Sequence, residues 1–189
     1  MRGGVRPEDS SQRQVLFIHG AGDEAYEEDG RLVESLCEEL GTGFEVRYPE
    51  MDGAAPEYGA WSARISRELS AVEGEVILVG HSLGASILLK HLSEERVGNP
   101  ISGVFLIATP YWGAADWEEE FELQEDFAAS LPLDTPMFLY HSRDDEIVPF
   151  AHLARYAGRL QRATIRVFEG RGHQFNEDLS EVADDIGRL

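Results

Sequence analysis

The chain has 189 residues, of which 36 are acidic and 16 are lysine or arginine, so its formal net charge at pH 7 is −20. This charge argues against a protein that binds nucleic acid or anionic membranes, because both classes rely on basic patches. The length fits one domain with a full core, and we predict that residues 1–189 form a single domain.

The chain start and the cysteine content predict a location. No apolar run reaches the ~18 residues that a membrane-spanning helix needs. Residues 1–13 are predicted to be a loose polar tail, because they lack the apolar stretch of a signal peptide. The one cysteine, Cys37, rules out a disulfide within the chain and lies on the apolar face of a predicted helix, where we expect it to be buried. These features predict a cytoplasmic protein.

Short apolar runs alternate with helical patterns along the chain. Strands are predicted at residues 14–18, 44–48, 76–79, 103–108, 137–140 and 164–168. The acidic stretch 23–29 is predicted to be a loop. Helical patterns follow at residues 32–40, 58–72, 83–92, 149–160 and 179–186. This alternation predicts an α/β fold with about six mostly parallel strands and helices on both faces. The carboxyl ends of parallel strands meet at one edge, where ligands bind.

Residues 111–133 interrupt the alternation between the fourth and fifth strands. This segment carries aromatic residues among many acids, and it follows the carboxyl end of a strand. It is therefore a candidate lid, with Trp112 and Trp117 as candidate substrate contacts. The alternative is a segment that packs on the surface through its aromatic rings. The two interpretations are compatible.

Residues 75–86 (EVILVGHSLGAS) are the most informative stretch of the chain. An apolar run ends at Gly80, Ser82 follows, and Gly84 opens a helical pattern. Gly-x-Ser-x-Gly between a strand and a helix is typical of a nucleophile elbow. Such a turn lifts the serine hydroxyl off the sheet edge at the positive end of a helix. The alternative is an ordinary strand-to-helix turn.

A nucleophilic serine needs a base, and the base needs an acid that orients it. In a fold of this kind the chain order is serine, acid, histidine. Asp145 follows the fifth strand, three residues before a Val-Pro pair, and Asp144 is its rival. Among the six histidines only His173 lies in a loop after the last strand. We predict Ser82, Asp145 and His173 as a catalytic triad.

An oxyanion hole needs two backbone amides, one after the nucleophile and one from a loop near the first strand. Leu83 follows Ser82, and residues 19–22 (HGAG) follow the first strand. We therefore predict the amides of Ala21 and Leu83 as the pair. The alternative for residues 19–22 is a plain glycine turn.

Together these motifs resemble the α/β-hydrolase superfamily, in position and in order, from about Val15 to the end of the chain. The short length and compact lid are most similar to small serine hydrolases related to retinoblastoma-binding protein nine and the bacterial YdeN type. The resemblance implies hydrolysis of an ester or amide through an acyl-enzyme. It also implies no metal and no organic cofactor.

The sequence therefore predicts a serine hydrolase, and most specifically a carboxylesterase for small or medium acyl groups. An acyltransferase or amidase with the same triad is one alternative, and a non-catalytic binding protein with a relic triad is another. The expected partner is a small ester or amide rather than nucleic acid or a membrane. The sequence does not select one substrate or an oligomeric state.

Overall fold

The computed structural model describes residues 12–113, 119–132 and 134–189. The strands are β1 (Arg13–Ile18), β2 (Phe44–Arg47), β3 (Val76–His81), β4 (Ile101–Ile107), β5 (Met137–Ser142) and β6 (Thr164–Phe168). The α-helices are α1 (Ala25–Leu40), α2 (Tyr58–Ser70), α3 (Leu83–Glu94), α4 (Phe127–Ser130), α5 (Ala151–Arg159) and α6 (Ser180–Gly187). Short 3-10 turns lie at Gly41–Gly43, Glu119–Phe121 and Phe175–Glu177.

The six strands form one parallel sheet in the order β2-β1-β3-β4-β5-β6. The predicted α/β fold is therefore confirmed. The chain runs outward from β1 to β2 and then crosses to the other side of β1, so the strand order reverses between β1 and β3. Ligands bind in the crevice at such a switch point. Ile18 pairs with Gly80, and this register places the loop after β1 beside the loop after β3.

Two hydrophobic layers cover the sheet, because alternate side chains of each strand point to opposite faces. One layer packs the sheet against α2, α3, α5 and the segment 119–132. The other packs it against α1 and α6. The central strand β3 is buried along its whole length, as expected for a parallel strand covered on both faces. Within the described part of the chain, every helix is too short or too polar to cross a membrane.

The structure differs from the sequence-based predictions at the amino-terminal end of the fold. Helix α1 begins at Ala25 and so includes most of the stretch 23–29, which is predicted to be a loop. Glu27 and Glu28 lie in its first turn, where the helix dipole favours acidic side chains. Cys37 is exposed, so the prediction that it is buried is wrong. It lies beside the apolar stripe of α1, which Leu32, Leu36 and Leu40 form.

The predicted domain includes segments that the structure does not describe. Strand β1 begins at Arg13, the last residue of the predicted tail, and residues 1–11 lie outside the described residues. Residues 114–118 and 133 of the predicted lid lie outside them as well. That residues 1–189 form one domain remains a prediction.

Candidate active site

Ser82 lies at the tight turn between β3 and α3 and is half-buried. Its backbone has φ 51° and ψ −125°, a conformation that costs a residue with a Cβ roughly 1–3 kcal/mol. Neighbouring main chain holds this conformation: the Ser82 amide donates to Ile107 O at 2.9 Å, and Ser82 O accepts from the Ala85 amide at 3.1 Å. The turn therefore presents the hydroxyl at the crevice of the sheet.

Two glycines allow the turn to pack this closely. A Cβ on Gly80 would collide with the main chain of Ala85, and a Cβ on Gly84 would collide with the carbonyl groups of Ile18 and His19. The sharp strand-to-helix turn thus depends on both glycines of the Gly-x-Ser-x-Gly motif.

Gly84→Ala is expected to destabilise the fold by about 1–3 kcal/mol or more, because the added methyl meets backbone that has no room to move. Urea unfolding followed by circular dichroism measures the change. Gly158→Ala is the matched control: Gly158 lies in α5, where an added methyl group would meet no atom within 4 Å, so stability should stay level or rise by up to ~1 kcal/mol. Equal effects of the two substitutions would contradict the packing argument.

The predicted acid and base are in direct contact. His173 Nδ1 lies 3.0 Å from each carboxylate oxygen of Asp145. Asp145 Oδ1 also accepts from the amides of Ile147 and Val148, at 2.9 and 2.7 Å. Burial opposes the charge of Asp145, but hydrogen bonds from His141 and His173 lower the pKa of its carboxyl well below the usual range. Asp145 is therefore ionised and oriented toward His173.

Asp144, the rival of Asp145, fits the first of the two positions that the sequence indicates. We expect it to face solvent or to pair with an arginine. It is exposed, but its carboxylate accepts from the Ser142 hydroxyl and from the Gly172 amide, whereas Arg143 pairs with Glu169. Asp144 thus anchors the loop that carries His173.

The position of Asp145 fixes the tautomer of His173, because an ionised carboxylate can only accept from Nδ1. Nε2 is then the unprotonated nitrogen that can act as a base. Burial lowers the pKa of His173 from its ordinary 6.5, and the hydrogen bond to Asp145 offsets part of this effect. The imidazole is therefore neutral at neutral pH.

A plot of kcat/KM against pH should fall on its acid side, here called the acid limb, because His173 acts as a base only when neutral. The midpoint of this limb should lie below pH 6.5, the ordinary pKa of histidine, because the pKa of His173 is lowered in the folded protein. Hydrolysis of a neutral ester measured between about pH 4 and pH 9 gives the midpoint. His173→Ala should abolish the activity and the limb together. A midpoint above 6.5 would contradict the lowered pKa.

The predicted oxyanion amides flank the crevice on two different loops. On the loop after β1, the Gly20 amide donates to Asp29 Oδ2 at 2.8 Å and the Gly22 amide donates to Gly53 O at 2.8 Å. Among the described residues, neither the Ala21 amide between them nor the Leu83 amide has a hydrogen-bond acceptor. Both amides are therefore free to donate to a ligand.

One buried network at the site is absent from the sequence-based predictions. Asp29 is 1% exposed and accepts from the Gly20 amide, from His81 Nδ1 at 2.8 Å and from Gln174 Nε2 at 3.1 Å. The signal that could have found it is helical spacing, because Asp29 shares the inner face of α1 with Leu32 and Leu36. An acid at such a position needs buried partners.

The described part of the predicted lid packs against the body of the protein. The ring of Trp112 is half-buried and lies 4.8 Å from that of Phe121, centroid to centroid. Phe121 and Phe127 are buried in the layer that contains α3. This agrees with the surface-packing interpretation, and Trp117 lies outside the described residues. A contact between the segment and substrate remains a prediction.

A cleft of about 530 Å³ adjoins the loop after β1. It is lined on one side by His19 and Gly22 and on the other by Met51 and Gly53. Its charged lining is mostly acidic, comprising Asp23, Glu27, Glu50, Asp52 and Arg64. The cleft opens next to the predicted oxyanion loop, but none of Ser82, Asp145 and His173 lines it.

Comparison with known proteins identifies the family. A family model described as serine hydrolase matches residues 33–179, which is most of the chain. The chain belongs to the serine hydrolase family. The prediction that the protein is a hydrolase is therefore confirmed. A search of curated proteins finds no match.

Solved structures of low sequence identity share the fold of this serine hydrolase. The chain is similar to a YdeN-like hydrolase from Pectobacterium atrosepticum, with a TM-score of 0.68 and 21% identity over 94% of this chain and 90% of that one. It is also similar to the ydeN gene product of B. subtilis, with a TM-score of 0.71 and 20% identity over 94% and 98%. A third similar structure is Est1E from Butyrivibrio proteoclasticus, with a TM-score of 0.70 and 16% sequence identity over 97% of this chain and 88% of that one. These likenesses confirm the predicted α/β-hydrolase fold.

Proposed function

We propose that this serine hydrolase is a carboxylesterase that cleaves esters of small or medium acyl groups through an acyl-enzyme on Ser82. The observation that carries the proposal is the paired Asp145 and His173, held at the same sheet edge as Ser82. The amides of Ala21 and Leu83, which have no acceptor among the described residues, support it further.

The proposed mechanism assigns one step to each group. Ser82 Oγ attacks the ester carbonyl carbon, and His173 Nε2 takes the hydroxyl proton. Asp145 holds Nδ1–H and stabilises the imidazolium, while the amides of Ala21 and Leu83 donate to the developing oxyanion. His173 then gives its proton to the leaving alcohol. Water repeats the sequence on the acyl-enzyme and releases the carboxylic acid.

A fluorophosphonate probe and a set of p-nitrophenyl esters of increasing acyl length test the proposal. We expect covalent labelling on Ser82 and turnover that is highest for short or medium chains. Absence of labelling would favour a binding protein with a relic triad. Product analysis with an added alcohol separates hydrolysis from acyl transfer, because a transferase would form the new ester in preference to the acid.

Trp112→Ala is expected to raise KM several-fold for long-chain esters and much less for acetate esters, because the lost contact area scales with acyl length. The same set of p-nitrophenyl esters gives KM for the long-chain esters and KM for the acetate ester. Phe105→Leu provides a control ring on the other face of the sheet: Phe105 is 0% exposed in the layer that contains α1 and α6, and its replacement should affect all esters alike. A uniform effect of Trp112→Ala would assign that ring a purely structural role.

The charge of the cleft supports a preference among substrates. The protein has a formal net charge of −20, and the cleft beside the oxyanion loop adds four carboxylates and one arginine, so an anionic ester would be repelled as it approaches the site. We therefore expect a neutral or cationic small molecule as substrate. A cytoplasmic location remains part of the proposal and rests on the single cysteine.

A further inference from the structure

His81 immediately precedes Ser82, and the proposed mechanism gives its side chain no role. The residue is 1% exposed. Its Nδ1 lies 2.8 Å from Asp29 Oδ2, and its Nε2 lies 3.0 Å from the main-chain oxygen of His173. A carbonyl oxygen can only accept, and an ionised carboxylate can only accept. Because a neutral imidazole carries one N–H, only an imidazolium donates to both.

Two other histidines of the site show the neutral arrangement. His19 Nε2 accepts from the Met51 amide at 2.9 Å, which leaves its single proton for Nδ1. His173 donates from Nδ1 to Asp145, and within the described part of the chain its Nε2 has no hydrogen-bond partner. His81 therefore differs from His19 and His173, because each of its two ring nitrogens faces a hydrogen-bond acceptor.

The proton of the Asp29–His81 pair belongs on the histidine. Asp29 already accepts from the Gly20 amide and from Gln174 Nε2, and such donors favour its ionised form. Burial opposes a charge on His81, but the Asp29 carboxylate outweighs this effect and raises the pKa of His81. The pKa of Asp29 is lowered against its own burial by the same pairing.

The pair touches three of the loops that form the predicted site, those after β1, β3 and β6. Asp29 holds the loop after β1 through Gly20, and His81 belongs to the nucleophile elbow. His81 Nε2 holds the main chain of the base itself, and the rings of His81 and His173 lie 4.7 Å apart, centroid to centroid. A positive charge at this distance opposes protonation of His173. The pKa of His173, lowered first by burial, is lowered further by His81.

We propose that His81 is an imidazolium throughout the working pH range of the enzyme, and that with Asp29 it positions the His173 loop and keeps the His173 imidazole unprotonated. The kinetic part rests on the proposed function, since His173 is the base of that mechanism. The other titratable groups that act on the two rings are Asp145 and His19, and Glu146 accepts a hydrogen bond from the main-chain amide of His173.

Nitrogen-15 NMR of the histidine side chains tests the charge state directly, without any turnover. His81→Gln assigns the signals by their disappearance. We expect both ring nitrogens of His81 to keep imidazolium shifts from about pH 5 to pH 9, beyond the range in which an unperturbed histidine titrates. One protonated and one bare nitrogen at neutral pH would overturn the proposal.

The pH profile of kcat/KM tests the effect on the base. His81→Gln keeps a donor near the position of Nε2, and His81→Asn keeps one near Nδ1, but both remove the charge. We expect both to move the acid limb to higher pH, so that activity at low pH falls about fivefold relative to activity at high pH. His81→Gln should retain the higher kcat, because it still holds His173 O. An unmoved acid limb in both variants would refute the electrostatic role.

A buried histidine far from the crevice provides the matched control. His91 is 1% exposed, lies near the end of α3 and bonds Ser62 Oγ at 2.8 Å. His91→Asn should lower stability but leave the acid limb unmoved. If neither His81 variant folds, Asp29→Asn takes their place: His81 should lose its imidazolium shifts over part or all of the pH range, and the acid limb of kcat/KM should move to higher pH. Imidazolium shifts of His81 that stay unchanged from about pH 5 to pH 9 in Asp29→Asn would overturn the pairing.

The outcomes separate this proposal from the proposed function. Imidazolium signals without fluorophosphonate labelling of Ser82 would leave the charged pair in place and refute the esterase. Labelling of Ser82 with a neutral His81 would retain the esterase and refute the charged pair.

Discussion

Ser82→Ala is expected to reduce ester hydrolysis by about 10⁶-fold, the scale of nucleophile removal in well-studied triads. The substitution removes the only atom that can form the acyl-enzyme. It also abolishes fluorophosphonate labelling. The half-buried hydroxyl has no hydrogen-bond partner among the described residues, so the fold should be retained. Steady-state turnover and mass spectrometry of the labelled protein measure the two effects.

Ser86→Ala is the control for Ser82→Ala. Ser86 lies one turn further along α3, is 1% exposed, and donates to Pro110 O at 2.9 Å. Its replacement removes a buried hydrogen bond and should cost stability of roughly 1 kcal/mol, with turnover within about tenfold of the starting protein. Undiminished hydrolysis by a pure Ser82→Ala sample would eliminate the proposed mechanism.

Asp145→Asn is expected to reduce kcat by about 10⁴-fold, the loss seen when a triad aspartate is replaced by its amide. Asparagine has nearly the same shape, but its amide nitrogen cannot accept from His173 Nδ1–H, so the wrong imidazole tautomer is favoured. The amides of Ile147 and Val148 and the rings of His141 and His173 all donate to Asp145, so this carboxylate is held in one orientation. Turnover of one ester by the variant and the starting protein measures the difference.

Asp144→Asn is the matched control for that experiment. Asp144 Oδ1 accepts from the Ser142 hydroxyl and the Gly172 amide, and an asparagine oxygen can accept both bonds. We therefore expect a loss of less than about tenfold, or ~1.4 kcal/mol. An inactive Asp144→Asn beside an active Asp145→Asn would reverse the assignment of the acid.

Local sequence patterns were sufficient to predict the strands of the sheet and the strand-to-helix turn at Ser82. The strand before Ser82 and the helix after it follow from apolar runs and periodicity, and the two glycines are needed because backbone approaches within van der Waals distance of each. The position of His173 after the last strand follows from connectivity, because parallel strands bring their carboxyl ends to one edge. Trp112, by contrast, has no local signal that separates packing on Phe121 from contact with substrate.

The amino-acid sequence by itself determined the α/β alternation, the strand-to-helix turn at Ser82 and the places of Asp145 and His173 after later strands, because these depend on local propensity and on the rules of parallel topology. Only the tertiary structure decided the partners of Asp29 and His81, which lie 52 residues apart in the chain. His81 and His173 are 92 residues apart. No local periodicity encodes such contacts. They arise because the strand order reverses between β1 and β3, and burial then requires each charge to find a partner.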